Sequence, residues 1–300
     1  MNRTELSNRM GQVKVAIIGS SNSGKSTLVN ALCHRFLLPE ASCTSTWLTT
    51  YLGRVPLPKF ECGVMNRRGT LHAYNYDEFR QMFVYNYKTI YDGEKSKGCN
   101  LFGFVHTENL FTKHGIILID TIGAGINQYD TKRSAAIAQK ADIVVFVYDA
   151  SRSANFTLGE TEFLKQTLFQ SKRRSVKFCQ RIIFVPNKID NVSSVTEVCR
   201  TLKYNLKIFF NQETEGYKCI INNIIPVSAL YGRLKTVGLL PIPSREDYYD
   251  EDSYMEALQQ RKYEAEVMKT QDLLPESNLT TLAKAILKVS KAIKKNKKYV

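Results

Sequence analysis

Short, continuous apolar runs recur along the chain at 13–18, 115–119, 143–148 and 181–186, and each ends at a glycine, aspartate or asparagine. Runs this short and this largely apolar predict strands buried on both faces. Further strands are expected near 46–55, 102–107 and 220–227. Between them, apolar residues recur at intervals of three or four, which predicts helices over 25–35, 131–140, 159–170 and 192–210. The stretch 60–75, punctuated by Gly63 and Gly69, reads as a loop or hairpin. Phe79, Met82, Phe83 and Ile90 give 77–91 helical spacing. Strands alternating with helices predict an α/β fold, a mainly parallel sheet flanked by helices.

Past residue 240 the pattern changes. Glu246 to Asp252 packs five acids into seven positions, a solvated linker or helix start. Helical spacing follows over 253–271, with Met255, Leu258 and Val267 as an incomplete apolar stripe. It resumes at Leu279, with Leu282, Ile286, Val289 and Ile293 on one face. The expected division is an N-terminal extension over 1–12, one main domain over 13–240, and an acidic linker with C-terminal helices over 241–300.

Composition sharpens this picture in three respects. A hydrophobic content of 43% and a mean hydropathy of −0.26 are those of a globular protein. No run approaches the ~20 apolar residues of a membrane span, and the first residues lack the apolar stretch of a signal peptide. Seven scattered cysteines without a C-x-x-C pair predict free thiols in a reducing, cytoplasmic setting rather than disulfides or a zinc site. The net charge is +14, and residues 275–300 contribute seven lysines against one glutamate. That tail has two readings: a basic amphipathic helix peripheral to an anionic membrane, or a helix docked by its apolar stripe with its lysines facing water. A weakly basic surface also suits RNA, but no aromatic and basic RNA-binding motif stands out.

The chemistry is carried by four strand ends. Residues 19–26 read Gly-Ser-Ser-Asn-Ser-Gly-Lys-Ser, between the apolar run 13–18 and the helical stretch that begins Thr27-Leu-Val-Asn-Ala-Leu32. A G-x-x-x-x-G-K-S loop between strand and helix wraps its amides around a phosphate chain. Gly19, Asn22, Ser23, Gly24, Lys25, Ser26 and Thr27 are therefore candidate nucleotide contacts, with Lys25 reaching the β- and γ-phosphates and the Ser26 hydroxyl on Mg²⁺. Asp120-Thr-Ile-Gly123 closes the second run. There Asp120 would hold the Mg²⁺ water shell and the Gly123 amide would meet the γ-phosphate. Asn187-Lys188-Ile-Asp190 closes the fourth. Asp190 can accept from N1–H and the 2-amino group of guanine, whereas adenine leaves it unpaired, so the site selects GTP and GDP over ATP. Ser228-Ala229, after the expected strand 220–227, would offer a backbone amide to the guanine O6.

These motifs resemble those of the P-loop GTPase superclass, and within it the dynamin-like GTPases. The stretch 37–46, Leu-Leu-Pro-Glu-Ala-Ser-Cys-Thr-Ser-Thr, is similar to the dynamin-family switch I. A long insertion over 58–110 precedes the Asp120 motif, and Phe156-Thr-Leu-Gly-Glu160-Thr-Glu-Phe163-Leu164 resembles the family's T-x-x-E-x-x-F-L stretch. The resemblance implies GTP hydrolysis, Mg²⁺ held by Ser26, Asp120 and a switch-I threonine, and a homodimer through the G domain. Counting back from Gly53 picks Thr44 for that threonine, with Thr46 as the alternative.

Two residues depart from the dynamin pattern. Ile122 stands where the family has proline, and Asn22 resembles the loop of Era-type and tRNA-modification GTPases, in which an asparagine helps hold K⁺. Asn22 therefore raises two readings, a K⁺ ligand or a loop asparagine bonded to its own backbone. The Era likeness also leaves an alternative partner, a ribosomal or other RNA particle. Ala124 follows Gly123, so the water-orienting glutamine of Ras-like enzymes is absent. Slow turnover is expected unless a partner, an ion or a second G domain completes the site.

Overall fold

The computed structural model describes residues 3–40, 48–66, 68–79, 101–124, 128–152, 156, 160–164, 179–209, 218, 221–240, 242–243, 245, 251–269 and 277–297. The strands are β1 (Val13–Gly19), β2 (Thr49–Gly53), β3 (Cys62–Met65), β4 (Leu71–Tyr74), β5 (Phe102–His106), β6 (Ile116–Asp120), β7 (Ile143–Asp149) and β8 (Ile182–Asn187). The described helices are α1 (Arg3–Met10), α2 (Lys25–Cys33), α3 (Leu110–Lys113), α4 (Gln128–Lys140), α5 (Val195–Phe209), α6 (Ala229–Thr236), α7 (Glu251–Lys269) and α8 (Leu279–Lys297). The strands form one mixed sheet in the order β4-β3-β5-β2-β6-β1-β7-β8. This is the α/β fold expected of a P-loop GTPase.

The chain divides into two compact units that interleave along the sequence: Met1–Gln12, Ser26–Asp120 and Tyr231–Glu276 in the first, and Val13–Lys25, Thr121–Leu230 and Ser277–Val300 in the second. In the second unit β1, β7 and β8 run parallel. Every residue of β7 and β8 is buried, and Lys14 alone escapes full burial in β1. Val, Ile and Phe make up most of these strands, since both faces of a parallel sheet are covered. α4 packs on β1, and α8 packs on β1 and β7. Leu282 and Ile286 of α8 are fully buried and Leu279 and Ile293 nearly so, while Lys284, Lys288, Lys291 and Lys295 face outward. The apolar stripe thus docks on the sheet, the second of the two readings of this helix.

In the first unit β2 pairs parallel with β5 and antiparallel with β6, and the expected hairpin is β3–β4, antiparallel to each other and joined to β5. Residues 3–10, expected only as an extension, form α1, which buries Leu6 and Met10 and contacts β6. An Asn109 capping box starts α3: its side chain accepts from the Phe111 and Thr112 amides, and Thr112 Oγ1 accepts from the Asn109 amide. Cys33, Cys62, Cys179 and Cys199 are free thiols, and burial pushes Cys33 up to about 12. Cys43, Cys99 and Cys219 lie outside the described residues.

Several boundaries differ from expectation. The helix expected at 131–140 begins earlier, at Gln128, and that expected at 192–210 begins at Val195 after a 3₁₀ turn over Ile189–Asn191. The helices expected over 77–91 and 159–170 lie mostly outside the described residues. The expected strand at 220–227 is reduced to single bridges, Ile224 to Phe184 and Val227 to Asn187. Pro186 lies between those bridges and has no N–H to donate, so the ladder breaks there; its carbonyl still accepts from the Val227 amide at 2.8 Å.

Candidate functional site

In the second unit the loop between β1 and α2 has the shape its glycines permit. Asn22 and Gly24 take left-handed φ values of 59° and 84°, and a Cβ on Gly24 would collide with the Asn187 carboxamide. On the other side, a Cβ on Gly123 would lie 2.7 Å from Ser21 Cα. The loop is therefore gripped closely between two of the motifs that the sequence singles out. Lys25 is buried and its Nζ donates to the Ser20 carbonyl at 2.8 Å, spanning the loop.

Asn187 links two loops of this unit. Its Nδ2 donates to the Ser23 carbonyl at 2.8 Å, and its Oδ1 accepts from the Ala229 amide at 2.9 Å. One buried side chain thus ties the phosphate loop to the 228–229 turn. The expectation at Ser228-Ala229 is a backbone amide offered to the guanine O6; in this structure the Ala229 amide meets the Asn187 carboxamide oxygen, which needs a donor when buried. Asp190 is half-buried and accepts from Ser228 Oγ at 2.5 Å. Lys188 has a left-handed φ of 61°, and its Nζ donates to Asp149 Oδ2 at 2.8 Å. Ser20 Oγ donates to the buried Glu160 at 2.8 Å, which brings this carboxylate onto the phosphate loop.

In the first unit Ser26 Oγ donates to Asp120 Oδ2 at 2.7 Å, both residues being buried. The sequence assigned both to Mg²⁺, and two hard oxygens held this close fit that ion. Thr27, expected among the nucleotide contacts, donates its hydroxyl to Glu40 at 2.8 Å. Asn30 donates to Glu40 as well, and its Oδ1 accepts from the Leu37 and Leu38 amides at 2.9 Å. The lead-in to the expected switch I is thereby fastened to α2. Glu40 also lies 3.4 Å from the Arg233 guanidinium, which in turn is bonded to Glu264 of α7. Thr44 and Thr46 lie outside the described residues.

Burial pushes the Glu40 carboxyl above its ordinary 4.5, against the opposing pull of Arg233, Asn30 and Thr27. A carboxyl raised on folding favours the folded state when protonated. Its contribution is full below pH 4.5 and lost as pH rises through the raised value. Glu40→Gln stays neutral and keeps an oxygen for Thr27. It should flatten the stability profile above pH 4.5 and raise the melting temperature at pH 7. Thermal melts across this range check it; a variant less stable than the parent at pH 7 would mean that Arg233 outweighs burial.

Sequence reading passed over Asn30, Asp149, Arg233 and Glu264 and gave Glu40 and Glu160 no role of their own. The last two stand inside quoted motifs, and Asp149 ends an apolar run, so a signal existed for those three. Arg233 and Glu264 carry none, because they meet each other and Glu40 from far apart in sequence. Asn30 carries none because its partners, Leu37, Leu38 and Glu40, reach it only through the fold of the segment after α2.

The sheet and its phosphate loop define a P-loop GTPase fold. The sequence matches the dynamin family over residues 15–189, more than half of its length, and the chain belongs to that family, whose G domains are GTPases. Two chains of an oligomerised bacterial dynamin pair, described as sensing and tethering membranes, share the fold at TM-scores of 0.51 and 0.50. They are 17% and 18% identical to this chain, and the match covers 96% of it. It spans 44% and 43% of theirs, less than half of those proteins. Era bound to a 16S ribosomal RNA segment matches more weakly, at 18% identity and a TM-score of 0.42 over 75% of this chain and 54% of its own. No curated protein matches the sequence. Among the described residues, no helix is long and apolar enough to cross a membrane.

Proposed function

We propose that this chain binds GTP and hydrolyses it to GDP and phosphate. The observation that carries the reading is the Asn187 side chain, which bonds the phosphate loop at Ser23 and the 228–229 turn at Ala229. A base reader and a phosphate cradle joined by one carboxamide suit a nucleotide rather than a bare anion. Gly19, Asn22, Ser23 and Gly24 would present amides to the phosphates, with Lys25 on the β- and γ-phosphates. Ser26, Asp120 and a switch-I threonine would hold Mg²⁺, which neutralises phosphate charge when bound. The Gly123 amide would meet the γ-phosphate. Asp190 would read the guanine edge, with Ser228 holding its carboxylate.

Ala124 cannot orient a water, so turnover needs help from a second G domain or from K⁺ beside the left-handed Asn22. Membrane contact, if made by α8, would rest on its lysines, because its apolar stripe lies on β1 and β7.

The test is base choice together with turnover. Wild type should prefer GTP to ATP by more than ~100-fold, and Asp190→Asn should move preference toward xanthosine triphosphate. Specific activity should rise with protein concentration, or with K⁺ in place of Na⁺. Equal binding of ATP and GTP would defeat the assignment of Asp190. Fast turnover indifferent to concentration and cation would defeat the assisted mechanism.

A further inference from the structure

The carboxylate that closes β7 has a position that the nucleotide motifs do not explain. Asp149 is 4% exposed, and each of its oxygens is occupied. Oδ1 accepts from Ser151 Oγ at 2.6 Å and from the Ser151 amide at 3.1 Å. Oδ2 accepts from Lys188 Nζ at 2.8 Å, with Arg152 Nε at 3.3 Å. The register of β7 on β8 sets this up, because Asp149 stands opposite Asn187, the residue before Lys188.

We infer that Asp149 is a positioning residue for nucleotide binding, holding Lys188 as a rigid bar against one face of the purine base. The inference rests on reading Lys188 as part of the base site. Lys188 is fixed at both ends. Its backbone sits in a left-handed turn between Asn187 and Ile189, and its ammonium is drawn to a buried carboxylate. Between those anchors runs a four-carbon stem, an apolar strip that a flat ring can cover. A free lysine must lose rotamer freedom to make such a contact, and Asp149 removes that cost before the ligand arrives. A purely structural pairing accounts for less, because Ser151 and Arg152 already satisfy the carboxylate without Lys188.

Binding of a fluorescent GDP, GTP kinetics and thermal melts on five variants test this. Asp149→Asn keeps shape and an acceptor for Ser151, and Lys188→Met keeps a stem without the ammonium. Each should weaken GDP binding about tenfold, with the GTPase loss appearing in KM more than in kcat. The double variant should be no weaker than either single one, because both remove the same contact. Asp149→Ala should behave like Asp149→Asn if it folds. If Lys188→Ala weakens GDP binding while Asp149→Asn binds like the parent, the role of Asp149 is overturned and the base-site reading stands. If Lys188→Ala itself binds GDP like the parent, the base-site reading falls. An Asp149→Asn whose only change is a lower melting temperature also overturns the inference.

Discussion

Lys25→Ala should lower affinity for GDP and GTP by at least ~100-fold while leaving the fold in place. The expectation follows from where the ammonium sits. It is buried at the mouth of α2 and donates to the Ser20 carbonyl across the loop. Removing one member of a buried, charge-assisted contact costs roughly 2–5 kcal/mol, and 1.4 kcal/mol is tenfold. The loop itself should survive. Its shape depends on Gly24 and on the Asn187–Ser23 bond, neither of which involves the lysine side chain. Calorimetric titration with GDP, beside a circular dichroism melt, separates the two effects. Retained affinity would mean that the phosphates are gripped elsewhere.

Arg233→Ala should be the most damaging single change to stability. Arg233 is 1% exposed, beside Glu264 at 0% and Glu40 at 8%. It also donates to the Gly238 carbonyl at 2.7 Å. Its loss leaves two buried carboxylates with, among the described residues, neutral donors: Gln260 and the Leu240 amide on Glu264, Thr27 and Asn30 on Glu40. Breaking a buried pair in this way costs about 3–5 kcal/mol. In a chain of this size that corresponds to a fall of roughly 10 °C in melting temperature. A fall below ~2 °C would show that water or protonation compensates, and the cluster would then count for little. Adding Glu264→Leu to Arg233→Met should recover part of the loss, since an uncharged core leaves one carboxylate fewer to satisfy.

The sequence carried those parts of the site whose chemistry is local. The phosphate loop, Asp120 after its strand and Asn187 to Asp190 after theirs need only a strand end and a few fixed residues. Their spacing survives translation into text. Parts that depend on distant partners did not show. Thr27 bonds Glu40 because the lead-in to switch I folds back onto α2, and nothing at position 27 announces that. The Ala229 amide goes to Asn187 because a buried carboxamide competes for it. For α8 the periodicity gave the apolar face, but only the structure names β1 and β7 as its cover. The strand expected at 220–227 failed through Pro186, a residue in the neighbouring strand rather than in the strand itself.

Asn187 has one more consequence, for the order in which the molecule comes into being. The Ser23 carbonyl it holds lies 164 positions earlier, and the Ala229 amide that holds it lies 42 positions later. On a ribosome adding ~5–20 residues each second, the phosphate loop emerges many seconds before the side chain that braces it. Loop closure over such a separation is entropically slow and is repaid only when β1, β7 and β8 are already in register. A nascent chain stopped short of residue 229 therefore carries every residue proposed to meet the phosphates yet lacks the Ala229 donor that completes the brace. The brace is thus completed by a residue made well after the loop that it holds.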